Sequence, residues 1–156
     1  MRLVLLAVGQ KMPAWVAQGY GEYAKRLPPH LKLDLVERPA SPWASRGDIA
    51  RGMREEADSL RAAVPKNAHL VALDERGEPW TTTQLSTQLS NWQQAGDDVA
   101  LLIGGPDGLD PALRAQARQR WSLSPLTLPH PMVRILVAEQ LYRAWTLLEG
   151  HPYHRA

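Results

Sequence analysis

The chain has 156 residues and a formal charge of only +2 at pH 7, which fits one domain with a sizeable core and permits a nucleic-acid partner without requiring one. It contains no cysteine, so disulfides, thiolate nucleophiles and thiolate metal sites are excluded. Its apolar start is too short for a signal peptide or a membrane span, which predicts a soluble, cytoplasmic protein.

Strand and helix patterns alternate along the first part of the chain. Prolines open and stop the first helix, and strict apolar–polar alternation marks a strand near a sheet edge. The predicted elements are a strand at 3–8, a helix at 13–27, the alternating strand at 31–37, a loop at 39–47 and a charged helix at 48–63.

The alternation continues to the end of the chain. The pattern predicts strands at 68–73 and 99–103, a helix from 81 to about 94, a helix after Asp110 carrying Arg114, Arg118 and Arg120, an extended segment at 122–128 and a helix at 131–149. The strand at 99–103 is apolar throughout and is expected to be buried on both faces. The order predicts one α/β domain over 1–156, with a mainly parallel sheet flanked by helices.

Three segments follow predicted strands, at the sheet edge where open parallel sheets bind ligands. The first begins at Leu73, the second contains Gly104 and Gly105, and the third is 123–128. The glycines permit close backbone approach, and a side chain at Gly105 is expected to intrude on the ligand. The third segment offers backbone polar groups between leucines, which suits an adenine ring. Taken singly, each is also compatible with an ordinary turn or a buried strand.

Known phosphate and metal motifs do not account for these segments. The sequence contains neither Gly-x-Gly-x-x-Gly nor a Gly-Lys-Ser/Thr loop, and no His, Asp and Glu spacing matches a metal site. His130 is expected to orient a turn, and the arginines after Asp110 form a basic patch that is a solvated face unless it borders the ligand. Glu139 and Arg143 are spaced to pair along one helix.

The last helix and the tail indicate contacts with other molecules. The apolar surface at 131–149 is wide for one helix covering a sheet, which favours a subunit interface. The tail at 151–155 reads His-Pro-Tyr-His-Arg. Tyrosine and histidine can stack on bases and arginine can hold phosphate, although composition alone favours a disordered end.

Together these motifs resemble the SPOUT-class methyltransferases and, within them, the ribosomal RNA large subunit methyltransferase H family, which methylates N3 of a pseudouridine in 23S ribosomal RNA. The matching stretches are 73–77, 102–108, 123–130 and 133–155. The resemblance implies a trefoil knot at the carboxyl end, an exception to the rule against knots. It also implies S-adenosyl-L-methionine as cofactor, a homodimer through the last helix, and the assembled ribosome as substrate. It implies neither a metal cofactor nor a membrane partner.

The resemblance also assigns roles to residues. The cofactor contacts would be Leu73, Gly104, Gly105, Leu123, Ser124, Pro125, Leu126, Thr127 and Leu128. The tail would complete the active site, within one chain or across the dimer. Because the tail has no evident packing role, we expect His154 to act as the base, Tyr153 to stack on the target base and Arg155 to hold phosphate.

Two other classes of protein compete with this interpretation. One is a ribosome-binding or RNA-binding module of the same fold without catalysis, which would not need three converging backbone segments. The other is a nucleotide hydrolase of flavodoxin-like shape, which would need a phosphate loop or a metal cluster.

Overall fold

One sheet of five parallel strands organises the computed structural model, which describes residues 1–153. In chain order the strands are β1 (Leu3–Val8), β2 (Leu33–Arg38), β3 (His69–Pro79), β4 (Val99–Ile103) and β5 (Gln119–Ser122). Across the sheet the order is β2-β1-β4-β3-β5. The fully apolar β1 and β4 are buried along their whole length, whereas the alternating β2 lies at an edge. The burial of β4 and the edge position of β2 were predicted.

Helices cover both faces of the sheet. They are α1 (Ala14–Ala24), α2 (Ile49–Ala63), α3 (Thr82–Ala95), α4 (Pro111–Gln116) and α5 (His130–Glu149), with short 3₁₀ turns at Pro29–Leu31 and Ala44–Arg46. Successive β1 side chains alternate between two cores. Leu5 packs with α1, α3 and α5, and Leu6 packs with α2 and α4. The α/β class with flanking helices is confirmed.

Local capping explains where several helices begin. Thr81 and Gln84 form a capping box, in which the Gln84 amide donates to Thr81 Oγ1 at 3.1 Å and the Thr81 amide donates to Gln84 Oε1 at 2.8 Å. Asp48 and Asp110 accept amide hydrogen bonds from the first turns of α2 and α4. Within residues 1–153, no helix is both long and apolar enough to cross a membrane.

Two predictions near the carboxyl end were wrong. The extended segment at 122–128 shares only Ser122 with the observed β5, because Leu126 turns back and its amide donates to Ser124 Oγ at 2.9 Å. The basic helical patch does not exist, since α4 ends at Gln116 and only Arg114 lies on it. Arg118 follows the helix, where its amide donates to the Leu70 carbonyl at 3.0 Å, and Arg120 lies in β5.

Candidate active site

A cleft with a volume of about 740 Å³ lies at the carboxyl edge of the sheet. Its lining comes mainly from residues 73–76 after the start of β3, residues 103–109 after β4, and the stretch 121–130 between β5 and α5. Met53 of α2, Pro111 and Arg114 of α4, and Val133 of α5 complete it. The three segments chosen from the sequence therefore converge in space, as open parallel sheets require of a ligand site.

The first segment is an excursion from β3. Leu73 and Glu78 both pair with Trp121 of β5, so the residues between them leave the ladder and return. This excursion carries Asp74 and Glu75 to the rim of the cleft. Gly77 closes it, because a Cβ there would lie 2.7 Å from the backbone of Arg120. The prediction of a strand ending at Leu73 missed this return.

The second segment is a tight glycine loop. A Cβ on Gly104 would lie 2.5 Å from the carbonyl carbon of Gly108, so glycine is required for the loop to close. The Gly108 amide donates to the Gly105 carbonyl at 2.9 Å. A Cβ on Gly105 would meet Glu56 Oε1 at 3.1 Å and Val8 at 3.3 Å. A side chain at Gly105 would therefore meet α2 and β1 first, and not the ligand as the sequence predicted.

The third segment is tied to the first by side-chain hydrogen bonds. Thr127 Oγ1 donates to Glu75 Oε2 at 3.1 Å, and Ser122 Oγ lies 3.0 Å from the Glu75 carbonyl oxygen. Leu126 is 70% exposed, so its side chain is available to a ligand at the mouth of the cleft. Eight of the nine predicted cofactor residues line the cleft; the exception, Pro125, does not.

His130 begins α5 and contributes an imidazole to the cleft wall. Its Nδ1 is buried and has no hydrogen-bond partner among residues 1–153. Burial lowers the pKa of His130, and the positive charge of Arg134 lowers it further, although the Gly105 carbonyl opposes the shift. The ring is therefore kept neutral at physiological pH, which suits a wall facing a cationic ligand.

Arg134 fixes the start of α5 to the sheet. Its side chain is only 1% exposed, pairs with Glu37 and donates from Nη2 to the Gly9 carbonyl at 2.8 Å. These partners follow β1 and end β2, so the arginine couples three elements at the carboxyl edge. In the part of the chain that the structure describes, no group of three or more His, Cys, Asp or Glu side chains is arranged to hold a metal ion.

Sequence analysis missed Glu56, which supports the glycine loop from behind. Its carboxylate is 8% exposed and accepts the Ser41 amide at 2.9 Å. Burial raises the pKa of Glu56, the Asp107 charge adds to this rise, and the Ser41 hydrogen bond opposes it. A signal was present, since Glu56 falls three residues after Met53 and four before Leu60, on the apolar stripe of the predicted helix.

Residues 151–153, the described part of the tail, lie apart from the cleft of their own chain, and Tyr153 has a packing role that the sequence did not reveal. The Tyr153 ring is 4.6 Å from the Tyr142 ring, and the Arg143 guanidinium is 4.9 Å from the Tyr153 ring centre. Arg143 Nε donates to Glu139 at 2.7 Å, which confirms the predicted pair. Val133 lines the cleft nine positions before Tyr142, about 14 Å along the helix axis. His154 and Arg155 lie outside the described residues.

The cleft fits a nucleoside carrying a positive charge. The glycine loop 104–108 lies beside five leucines in the lining, which suits the apolar faces and polar edges of an adenine ring; the leucines are Leu73, Leu109, Leu123, Leu126 and Leu128. Carboxylates of Asp74, Glu75 and Asp107 lie along the same lining, where they favour a cation. Arg114 Nε lies 3.9 Å from Asp74 and limits this negative charge on one side.

Comparison with known proteins agrees with the fold and identifies the family. Residues 1–154 match the family described as "Predicted SPOUT methyltransferase", and the chain belongs to this class of enzymes. The chain is 55% identical over 155 residues to the "Ribosomal RNA large subunit methyltransferase H" of Marinomonas sp. (strain MWYL1), covering 99% of this chain and 100% of the relative. The protein of the same name from Pseudomonas putida (strain GB-1) is 53% identical with equal coverage. Within its class the chain is therefore a member of the methyltransferase H family, and the resemblance found in the sequence is confirmed.

Solved structures support the fold alone. A probable methylase family protein from Haemophilus influenzae Rd KW20 superposes with a TM-score of 0.55 at 16% identity, covering 99% of this chain and 70% of that chain. TrmJ from Z. mobilis ZM4 superposes with a TM-score of 0.50 at 19% identity, with coverage of 94% and 70%. The carboxyl-terminal knot is implied by membership in the SPOUT class.

Proposed function

We propose that this chain is a cytoplasmic enzyme that transfers a methyl group from S-adenosylmethionine to N3 of a pseudouridine in 23S ribosomal RNA, as a homodimer acting on the assembled ribosome. The observation that carries the proposal is the convergence of 73–76, 103–109 and 121–130 in one cleft. Family membership over the whole chain supplies the class of reaction and of substrate.

The cleft would hold the donor through its backbone. Segments 104–108 and 123–128 would bind the adenosine part, with Leu73 and the leucines of the third segment against the ring and the serine and threonine hydroxyls at its edges. The ties from Glu75 to Ser122 and Thr127 keep this wall in place before the donor arrives. Such preorganisation reduces the entropy lost on binding.

The acceptor nitrogen has to lose its proton to become a good nucleophile. The bound donor supplies an electrophilic methyl carbon on a sulfonium, and transfer requires nitrogen, carbon and sulfur in line. We propose that His154 removes this proton, that Tyr153 stacks on the target base and that Arg155 contacts a flanking phosphate. The new N–C bond forms as the C–S bond breaks, leaving the thioether product and a protonated base.

The position of Tyr153 supports an active site shared between subunits. Within one chain, this ring packs on Tyr142 and Arg143 rather than on the cleft lining. A second copy that docks along α5 could bring its own tail to this cleft. Exposed apolar side chains on α1 and α5 favour such docking: Trp15 is 51% exposed, Met132 is 38% exposed and Leu148 is 40% exposed.

The test is methyl transfer to ribosomes from cells that lack this protein. Purified protein with isotopically labelled S-adenosylmethionine should place the label on N3 of one pseudouridine, identified by mass spectrometry of digested RNA. The variant Leu126→Lys, which replaces an apolar contact to the adenine ring with a cation in a cleft meant for a cationic donor, should bind ribosomes but transfer little label. If the parent protein binds donor and ribosome yet labels no pseudouridine, the proposal is wrong and a binding module becomes the better description.

A further inference from the structure

The segment between β2 and α2 carries an aromatic and basic cluster that the proposed function leaves unused. The Arg51 Cζ lies 3.6 Å from the centre of the Trp43 ring, and the Arg46 Cζ lies 5.5 Å from the same ring. Both arginines are exposed and the tryptophan is half-buried. We call these three residues the Trp43 platform. None of them lines the cleft.

The Trp43 platform is fixed to the wall of the cleft. The Ser41 amide donates to Glu56 Oε2 at 2.9 Å, and the other oxygen of Glu56 lies against Gly105 of the glycine loop. The Trp43 amide donates to Ser41 Oγ at 3.2 Å. The segment packs closely against α2 at Gly52, since a Cβ there would lie only 3.1 Å from the Ala44 nitrogen. The platform and the cleft are therefore parts of one rigid edge.

The acidic groups near the Trp43 platform are engaged within the protein. Asp48 accepts the Arg51 amide at the start of α2, and Glu55 accepts the Ser41 hydroxyl at 2.9 Å. Glu56 is buried. Arg46 forms no ion pair with any residue in 1–153, nor does Arg54 one turn into α2. Arg51 Nε lies 3.6 Å from Glu55 Oε1. Residues 46–55 carry three arginines and two carboxylates, so this edge has a net charge of +1 with Arg46 and Arg54 outside ion pairs in 1–153, which favours a polyanion.

We propose that the Trp43 platform binds the ribosomal RNA strand that flanks the target nucleotide. A base would stack on the ring and on the Arg51 guanidinium, and Arg46 would contact a phosphate. The inference rests on the proposed function for the choice of RNA, but it assigns a surface which that function does not require. Stacking Arg51 on Trp43 restricts the guanidinium in advance, so less entropy is lost when RNA binds.

The experiment measures ribosome affinity, donor affinity and methyl transfer for three variants. Trp43→Ala removes the stacking surface, Arg46→Glu reverses an exposed charge without touching the packing, and Lys66→Glu makes the same charge change at the opposite edge of the sheet. We expect Trp43→Ala and Arg46→Glu to weaken ribosome binding on the order of 5- to 100-fold. Lys66→Glu should bind as the parent does. Donor affinity, measured by calorimetry, should be the same for all.

The charge variant gives an independent readout through salt. The slope of log affinity against log salt concentration is negative. Loss of one phosphate contact in Arg46→Glu should make this slope less steep by about 0.7 to 0.9. Photo-crosslinking of the parent complex should leave a nucleotide on the peptide containing Trp43. If that peptide instead carries a ribosomal protein, or if both platform variants bind like the parent, the platform is not an RNA site. Absence of methyl transfer by the parent would instead count against the proposed function.

Discussion

The cleft and the far end of α5 are built in opposite ways. The cleft is lined by three segments that are distant in sequence and converge within one chain. The far end of α5 is a cluster of side chains, in which Tyr142, Arg143 and Tyr153 contact one another and no donor cleft is nearby. This difference is the basis for the proposal that the acceptor chemistry uses the tail of a second copy of the chain.

The largest expected effect separates these two regions by function. His154→Ala should lower the methyl transfer rate by about 10²- to 10⁴-fold, because it removes the proposed base. Donor affinity should not change, since the cleft of each chain is intact. Single-turnover assays with saturating donor and ribosome measure the rate, and calorimetry measures the affinity. A near-parent rate would exclude His154 as the base.

A change in the glycine loop should show the reverse pattern. Gly104→Ala forces a Cβ to within 2.5 Å of Gly108, so the loop must open and donor affinity should fall by at least about tenfold. The matched change Gly21→Ala lies in a helix with open space around the added carbon and should raise the free energy of unfolding by about 1 kcal/mol. Unaltered donor binding by Gly104→Ala would remove this loop from the site.

The buried carboxylate behind the loop should make stability depend on pH. Burial raises the pKa of Glu56, so the folded chain holds this proton more tightly than the unfolded chain. The stability that Glu56 contributes through this proton is complete below its ordinary pKa of 4.5 and is lost as pH rises through the raised pKa of the folded chain. Relative to the parent, Glu56→Gln should therefore gain stability between pH 4 and pH 7. Urea unfolding across that range tests this, and a constant difference would contradict it.

The smallest effect belongs to the half-buried ion pair between Glu139 and Arg143 on α5. Glu139→Gln should lower the free energy of unfolding by only about 0.5 kcal/mol, because an i,i+4 ion pair on a helix contributes little. Thermal unfolding of the variant beside Glu149→Gln, an exposed acid on the same helix, measures this difference. A loss of several kcal/mol would mean that Arg143 and Tyr153 depend on Glu139 for their position.

The sequence predicted those parts of the fold that depend on local pattern. The uniform apolar run of β4 predicted its burial, and the alternation in β2 predicted its place near an edge. The fifth strand was misplaced because Trp121 is held by stacking on Trp80, with ring centres 5.4 Å apart, a contact no local pattern reveals. The return of β3 to Glu78 likewise depends on its pairing with β5.

The candidate site, like the fold, was predictable only where local sequence determines it. Glycines and leucines in the loops after β3, β4 and β5 were visible as candidates, since their residue types suit a close ligand. The supports of the site were not visible as such. Glu56 behind Gly105 and Arg134 against the Gly9 carbonyl act through tertiary contacts 49 and 125 positions apart in the sequence. Such contacts exist only once the sheet has assembled.

Subunit mixing tests the central claim most directly. One variant, Leu126→Lys, has a defective cleft and a parent tail, and the other, His154→Ala, has a parent cleft and a defective tail. If cleft and tail act across the dimer, mixing and refolding equal amounts should restore about one quarter of the parent rate, since half of the dimers are mixed and each holds one intact site. Activity that stays at the level of the separate variants would contradict the shared site.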